Sequence, residues 1–209
     1  MVLAAAALVL GSVPAVWATE QAVRPEAYPN SGDAHAGDPQ TADIRSADVR
    51  IQEAIRQISP ERIRQTIEKL VSFGNRSTIS AQDEESVKAG KGIGAARAWI
   101  KSEFERYSKD CGGCLEVKTD EFLEQPGERI PKPTEITNVY AVMRGSDPAQ
   151  ANRIVLVTGH YDSRNSDILN VTGATPGAND DGSGTAVSLE CARVLSKYKF
   201  PATIRFSDG

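Results

Sequence analysis

The stretch "VTGHYDSRNSDILNVTGATPGANDDGSGT", residues 157–185, places a histidine and several aspartates among glycines and other small residues. It overlaps the end of the apolar run "RIVLVTGH", which predicts a strand, and leads into "TAVSLECARVLSKY", which predicts a helix. "ATIRF" then predicts a further strand. A strand, a helix and a strand in succession indicate a parallel crossover, so the polar stretch lies on the loop between its first strand and its helix.

Two more strands are predicted upstream of this crossover. "CLEVKTDEF" alternates apolar and polar residues, and "EITNVYAVMRG" follows it before the turn "GSDPAQAN". The unbroken apolar run of "RIVLVTGH" predicts a strand that is buried on both faces. We therefore expect an α/β fold with three α/β/α layers and a mixed, mainly parallel central sheet that is incomplete at the C-terminus.

Two further helices precede the strands. "SPERIRQTIEKLVSFGNR" has Ser59 as a candidate N-cap, Pro60 at the first helical position and Gly74 as a stop, and "GIGAARAWIKSEFERYS" follows it. The apolar spacing predicts one buried face on each of these two helices and on the crossover helix "TAVSLECARVLSKY". The positions expected in the core are Ile63, Ile67, Leu70, Val71, Ile93, Ala96, Trp99, Ile100, Phe104, Tyr107, Val187, Leu189, Ala192, Val194 and Leu195.

The composition is that of a soluble globular chain. Its 209 residues are 40% hydrophobic and 25% charged, which suits one domain with a full-sized core. A formal net charge of −4 gives no reason to expect nucleic acid or an anionic membrane surface as a partner.

The first 45 residues differ from the rest. Residues 1–18, "MVLAAAALVLGSVPAVWA", are apolar and end on the small Ala18, which predicts a secretory signal peptide, although no Lys or Arg precedes the run. Gly11 and Pro14 interrupt it, which disfavours a membrane-spanning helix. Residues 19–45 are rich in Pro, Gly, Ala and Asp, which predicts a flexible leader and includes His35. The prediction is a secreted or periplasmic protein with its domain at 46–209.

The cysteines fit an exported protein. Cys111 and Cys114 in "DCGGCLEV" have the spacing of a zinc knuckle, a redox motif or a small disulfide loop. A zinc knuckle needs a second ligand pair, and a redox motif needs the pair to open a helix after a strand. Here the pair follows a predicted helix, which favours a structural disulfide. Cys191 lies among apolar helix positions and is expected to be buried.

The polar stretch has the composition of a metal site. His160 and Asp162 follow a predicted parallel strand, and residues two apart in extended chain share a face. Asp180 and Asp181 in "NDDGSG" precede the next helix. An imidazole with carboxylates suits a divalent metal such as zinc. Taken separately, the histidine and aspartate could be a hydrogen-bonded pair, and "NDDGSG" could be helix-capping turn chemistry.

"GHYDS" followed by "PGANDDGSGTAVSLECARVL" resembles the co-catalytic zinc aminopeptidases, exported metallopeptidases that include bacterial leucyl aminopeptidases. The resemblance covers roughly residues 58–206. It implies that His160 binds one zinc ion and that Asp180 bridges two. It places Asp162 in the catalytic machinery as the partner that orients His160. It also implies a peptide substrate and a glutamate as general base.

The sequence departs from this family at its end. In the family, the general-base glutamate and a neighbouring glutamate ligand follow the strand that "ATIRF" resembles, and an aspartate and a second histidine ligand come later. Here "ATIRF" continues as "SDG" to Gly209, and His35 cannot replace the second histidine. We therefore expect the N-terminal part of such an enzyme, inactive as this chain, with an unpaired sheet edge that favours aggregation.

The leading functional hypothesis is a secreted zinc aminopeptidase that removes N-terminal residues from peptides. A carboxypeptidase acting on acidic C-terminal residues would share this half of the chain. A glutaminyl cyclase-like acyltransferase, which uses a single zinc ion, is disfavoured because its aspartate loop departs from "NDDGSG". The non-enzymatic alternative is a binding or receptor ectodomain on a peptidase fold.

Overall fold

The computed structural model describes residues 49–209, so the predicted signal peptide and leader lie outside the described residues. None of the helices in this range is both long enough and apolar enough to cross a membrane. Helix α1 occupies residues 49–56 of this range. The other elements are α2 (Pro60–Ser72), α3 (Glu84–Lys88), α4 (Gly92–Asp110), β1 (Glu116–Glu124), β2 (Thr134–Met143), β3 (Ile154–Gly159), a short π-helical turn (Ala178–Gly182), α5 (Ser183–Leu195) and β4 (Thr203–Asp208).

The four strands form one mixed, open sheet in the order β1-β2-β4-β3. Strands β3 and β4 are parallel and are joined by α5, as the predicted crossover requires. The β1–β2 and β2–β4 pairings are antiparallel. The α/β class and the mixed sheet are thus confirmed, with one parallel pairing among the three that residues 49–209 form.

The described helices pack against one face of the sheet. Helix α4 contacts β1 and β2, α5 contacts β3 and β4, and α2 contacts α5. The opposite face carries Lys118, Tyr140 and Leu156, and the guanidinium of Arg205 lies 3.8 Å from the Tyr140 ring centre. Of the three expected layers, residues 49–209 therefore form two. The core between them includes Leu70, Ile93, Ala96, Ile100, Phe104, Tyr107, Val139, Ala141, Leu189, Ala192, Ile204 and Phe206.

Strand β3 is not buried on both faces, contrary to the prediction from its apolar run. Ile154, Val155 and Leu156 are 63%, 43% and 57% exposed. The physical reason is that Ile154 and Leu156 lie on the sheet face that no described helix covers, while β3 is also an edge strand of the described sheet, beside β4. Val187, also expected in the core, is 49% exposed on α5, whose neighbours Ala186, Ser188 and Leu189 are buried.

The predicted helix start and the predicted disulfide are both present. Ser59 caps α2, because its Oγ accepts a hydrogen bond from the backbone N–H of Arg62 at 3.3 Å, and Pro60 is the first helical residue. Cys111 and Cys114 form a disulfide directly after α4. Cys191 is a free thiol that is half-buried rather than fully buried.

Candidate functional site

The site lies where the end of β3 meets the start of α5. Gly159 ends β3 with its Cα against the backbone of Gly184 and Thr185, and a Cβ there would overlap the atoms of that backbone. A Cβ at Gly184 would overlap the carboxylate of Asp181. The two glycines therefore permit the close approach that brings the residue after β3 next to the turn before α5.

His160 is the centre of this arrangement. Its Nδ1 lies 3.0 Å from Oδ1 of Asp162 and 3.2 Å from the Asp162 carbonyl oxygen. Its Nε2 lies 3.1 Å from Oδ1 of Asp180. Oδ2 of Asp162 accepts a hydrogen bond from the Thr78 hydroxyl at 3.1 Å. The structure thus brings together the three residues predicted from the sequence, with Asp162 on one ring nitrogen and Asp180 at the other.

The spacing of His160 and Asp180 suits a shared metal ion. Zinc binds imidazole nitrogen at roughly 2.0–2.1 Å and carboxylate oxygen at roughly 2.0–2.2 Å, which in tetrahedral geometry separates the two donors by about 3.3 Å. The observed 3.1 Å between Nε2 and Oδ1 is within a few tenths of an ångström of that value. The Asp180 side chain is 91% exposed, so it can adjust to an ion without disturbing the core.

Asp181 has a structural role that the sequence did not reveal. Its Oδ2 accepts the backbone N–H of His160 at 3.2 Å, and its Oδ1 accepts the backbone N–H of Gly184 at 2.8 Å. The peptide bond between Asp180 and Asp181 is cis, and both residues have non-helical backbone angles within the π-helical turn. Asp181 therefore joins the chain just after β3, here called the β3 exit (residues 160–163), to the first turn of α5, while Asp180 faces the imidazole.

The electrostatics favour a charged or metal-bound imidazole. Partial burial lowers the pKa of His160, but the carboxylate and carbonyl of Asp162, with the charge of Asp181, outweigh it and raise the pKa above its ordinary value. A carboxylate on Nδ1 also leaves Nε2 as the nitrogen available to a metal. The contact with Asp162 thus stabilises the imidazolium. In neutral His160 the same contact keeps the proton on Nδ1, so Nε2 is free to bind a metal.

A second residue missed by the sequence reading lies beneath the site. Arg76, four residues after the end of α2, is fully buried. Its guanidinium donates hydrogen bonds to the carbonyl oxygens of Leu70, Tyr161, Pro176 and Gly177 at distances of 2.8–3.1 Å. Burial lowers the pKa of Arg76, and the nearby Asp162 carboxylate opposes that effect. An isolated arginine after a helix carries no periodic signal, so only the tertiary structure identifies it.

Asp208, in the segment "SDG" that no motif covered, is also fully buried. It lies opposite Gly159 in the parallel β3–β4 register. Neither of its carboxylate oxygens has a hydrogen-bond partner in the described range. It is not part of the His160–Asp180 pair, but burial and the nearby charge of Asp181 raise its pKa.

The donors present are fewer than a complete zinc site needs. Among residues 49–209, no group of three or more His, Cys, Asp or Glu side chains is arranged to hold a metal ion. Zinc in proteins takes about four ligands. Nε2 of His160 and Oδ1 of Asp180 fit two positions of one coordination shell, and the remaining positions are not filled by the residues described.

Comparison with known proteins agrees with this chemistry. Residues 138–207, which hold all three predicted site residues, match Peptidase family M28. The chain is 44% identical over 154 residues to a protein of Leptosphaeria maculans named a probable zinc metalloprotease, covering 74% of this chain and 34% of that protein. It is 28% identical over 149 residues to leucine aminopeptidase 1 of Trichoderma harzianum, covering 71% and 32%. The chain thus spans about a third of the length of these relatives.

Solved structures share the fold. The glutaminyl cyclase of Fimbriiglobus ruber aligns with a TM-score of 0.51 at 20% identity, covering 73% of this chain and 45% of that one. An aminopeptidase from Aneurinibacillus sp. strain AM-1 aligns with a TM-score of 0.50 at 16% identity, covering 73% and 63%. At these identities the likeness concerns the fold, and one fold carries both activities.

Proposed function

From this chain's relationship to the zinc peptidases of family M28, we propose that the protein is a zinc-dependent exopeptidase that hydrolyses N-terminal residues from peptides. The observation that supports this most directly is the 3.1 Å approach of His160 Nε2 to Asp180 Oδ1 within the segment that matches the family. The aminopeptidase specificity rests on the more distant similarity to leucine aminopeptidase 1.

The chain's own residues have separate tasks in this proposal. His160 would hold the metal through Nε2 and Asp180 through a carboxylate oxygen. Asp162 fixes the tautomer and orientation of His160, and the Thr78 hydroxyl fixes Asp162 in turn. When bound, zinc supplies Lewis-acid activation of the peptide carbonyl and of water. Because His160 and Asp180 fill only part of a zinc coordination shell among the described residues, we propose that this chain alone does not turn over substrate.

A zinc titration of the 209-residue chain tests the metal site. The chain has two histidines, and NMR signals of the His160 ring should shift on addition of zinc while those of His35 should not. His160→Ala and Asp180→Ala should each abolish this binding. His35→Ala is the matched control and should leave it unchanged. Zinc uptake that survives both site substitutions contradicts the assignment.

A chimera tests the catalytic proposal. Residues 58–209 of this chain replace the matching segment of the Leptosphaeria maculans relative, and the product is assayed on a leucyl peptide, its N-acetylated form and an N-terminal glutaminyl peptide. We expect two zinc ions per chain and release of leucine from the free peptide alone, both lost in His160→Ala. Cyclisation of the glutaminyl peptide without leucine release would instead identify an acyltransferase.

A further inference from the structure

We propose that Arg76 is a positioning residue for the zinc site. Its buried guanidinium holds the exit of β3 and the loop before the π-helical turn in the one relative placement at which His160 and Asp180 can share an ion. This inference rests on the proposed zinc site, but its structural part can be tested without zinc.

The contacts of Arg76 link three separate segments of chain. Nε donates to the carbonyl of Tyr161, the residue after His160, at 2.8 Å. Nη1 donates to Pro176 at 3.0 Å and Nη2 to Gly177 at 3.1 Å, which precede the turn that carries Asp180. Nη1 also donates to Leu70 in the last turn of α2 at 2.9 Å. One planar group therefore fixes both halves of the site to the C-terminal end of a helix.

The backbone of the same segment reinforces this connection. The carbonyl oxygen of Arg76 accepts the N–H of Ser163 at 3.0 Å, and its own N–H donates to Oγ1 of Thr175 at 2.9 Å. The N–H of Thr175 donates to the Gly74 carbonyl at 3.2 Å. The Ser163 hydroxyl closes the set by donating to the Thr175 carbonyl at 2.7 Å. Residues 74–76 thus lie between the β3 exit and the loop, bonded to each.

The choice of arginine has a physical reason. A buried cation is costly unless its donors are satisfied, and four main-chain carbonyls satisfy four of the five N–H groups of Arg76. The carbonyls of Leu70 and its neighbours form the negative end of the α2 dipole, which favours a positive charge. A lysine keeps the charge but, with one nitrogen, cannot span three segments. The placement of the site therefore depends on the fork geometry as well as on the charge.

Two variants distinguish the role of the forked guanidinium geometry from that of its positive charge. Arg76→Lys keeps the charge without the fork, and Arg76→Met removes both. The control is Arg193→Lys, because Arg193 is also largely buried and donates to a main-chain carbonyl, that of Gln57, without contacting the site segments. Amide hydrogen exchange is measured over residues 160–163 and 175–184, with the interior of α4 as the internal reference. Zinc affinity is measured by titration of the His160 ring signal.

We expect exchange at the two site segments to accelerate at least about tenfold in both Arg76 variants, while α4 and the Arg193→Lys control stay unchanged. Zinc affinity should fall on the order of tenfold or more, the range typical of residues that orient metal ligands. Unchanged exchange at the site, or equal acceleration in α4, would show that Arg76 only stabilises the fold and would overturn the inference.

The wild-type chain provides a test that no folding defect can obscure. The Nε proton of Arg76 should exchange with water at least about a hundredfold more slowly than that of the exposed Arg153, because it is buried and bonded to Tyr161. Equal exchange rates would contradict the proposed role of Arg76 as a positioning residue. If the wild-type chain takes up no zinc at His160, the proposed function fails, and the exchange data still decide the role of Arg76.

Discussion

At the scale of single residues, Asp208 carries a buried carboxyl group whose oxygens have no hydrogen-bond partner among residues 49–209. Burial raises the pKa of Asp208 well above its ordinary value, with the nearby Ser188 hydroxyl opposing this effect and the charge of Asp181 adding to it. The folded chain therefore binds this proton more tightly than the unfolded chain does. The stability it contributes is greatest below the unfolded pKa and is lost as the pH rises through the folded pKa.

Substitution of this residue should stabilise the protein. Asp208→Asn removes the ionisation, so we expect the free energy of unfolding at pH 7 to rise. The gain should shrink as the pH falls toward about 3.9, the ordinary pKa of an aspartate in the unfolded chain, because the unfolded carboxyl then binds the proton as well. Urea unfolding from pH 4 to pH 8 measures it, with the exposed Asp147→Asn as control. A gain that does not depend on pH would contradict the ionisation argument.

The residues of the site differ in how far the sequence could locate them. His160 and Asp162 were predicted to be neighbours because strand geometry alone places residues two apart on one face. Asp180 could be placed near them because the crossover fixes where α5 begins. Arg76 and the bonding role of Asp181 depend on which carbonyls and amides the fold brings within 3.2 Å, and no local pattern encodes that.

At the scale of elements, the loop between α4 and β1 is closed by the disulfide of Cys111 and Cys114. Cross-linking so short a loop removes little entropy from the unfolded chain, which corresponds to about 2 kcal/mol. Replacing both cysteines by serine should lower the free energy of unfolding by this amount and leave zinc binding unchanged. Reducing agent should produce the same loss in the wild type and none in the double variant. Cys191→Ser should show the wild-type response to reduction.

Sequence patterns predicted where the helices and strands lie more accurately than which of their faces are buried. The start of α2 follows from Ser59 and Pro60, which act within one helical turn. The exposure of β3 does not follow from its own residues, because an apolar run indicates only that the strand can be buried on both faces. Whether they are buried depends on the neighbours, and in residues 49–209 β4 is the one strand beside β3.

At the scale of the whole molecule, the exposed edge of the sheet is the feature with consequences for solution behaviour. Ile154 and Leu156 point to the face without helices, and the outer backbone groups of β3 pair with no described strand. An exposed apolar edge is a template for pairing with another chain. We therefore expect self-association that depends on protein concentration.

Leu156→Lys should suppress this association while changing the free energy of unfolding by less than about 0.5 kcal/mol, since an exposed side chain is replaced. Sedimentation velocity over a range of concentrations measures the effect. Leu169→Lys is the matched control, because Leu169 is 48% exposed in a loop. Equal loss of association in both variants would point to net charge, not to the strand edge.

The central position of β4 affects the time course of biosynthesis. The β1–β2 pair can form once residue 143 has been made, but β3 acquires its partner when residues 203–208 have followed. At roughly 5–20 residues per second, translation of the intervening segment takes about 2 to 10 seconds. During that interval the apolar segment "IVLV" of the nascent chain is exposed and can pair with other chains. We therefore expect the yield of folded protein in a cell to depend on translation speed and on chaperones that bind this segment.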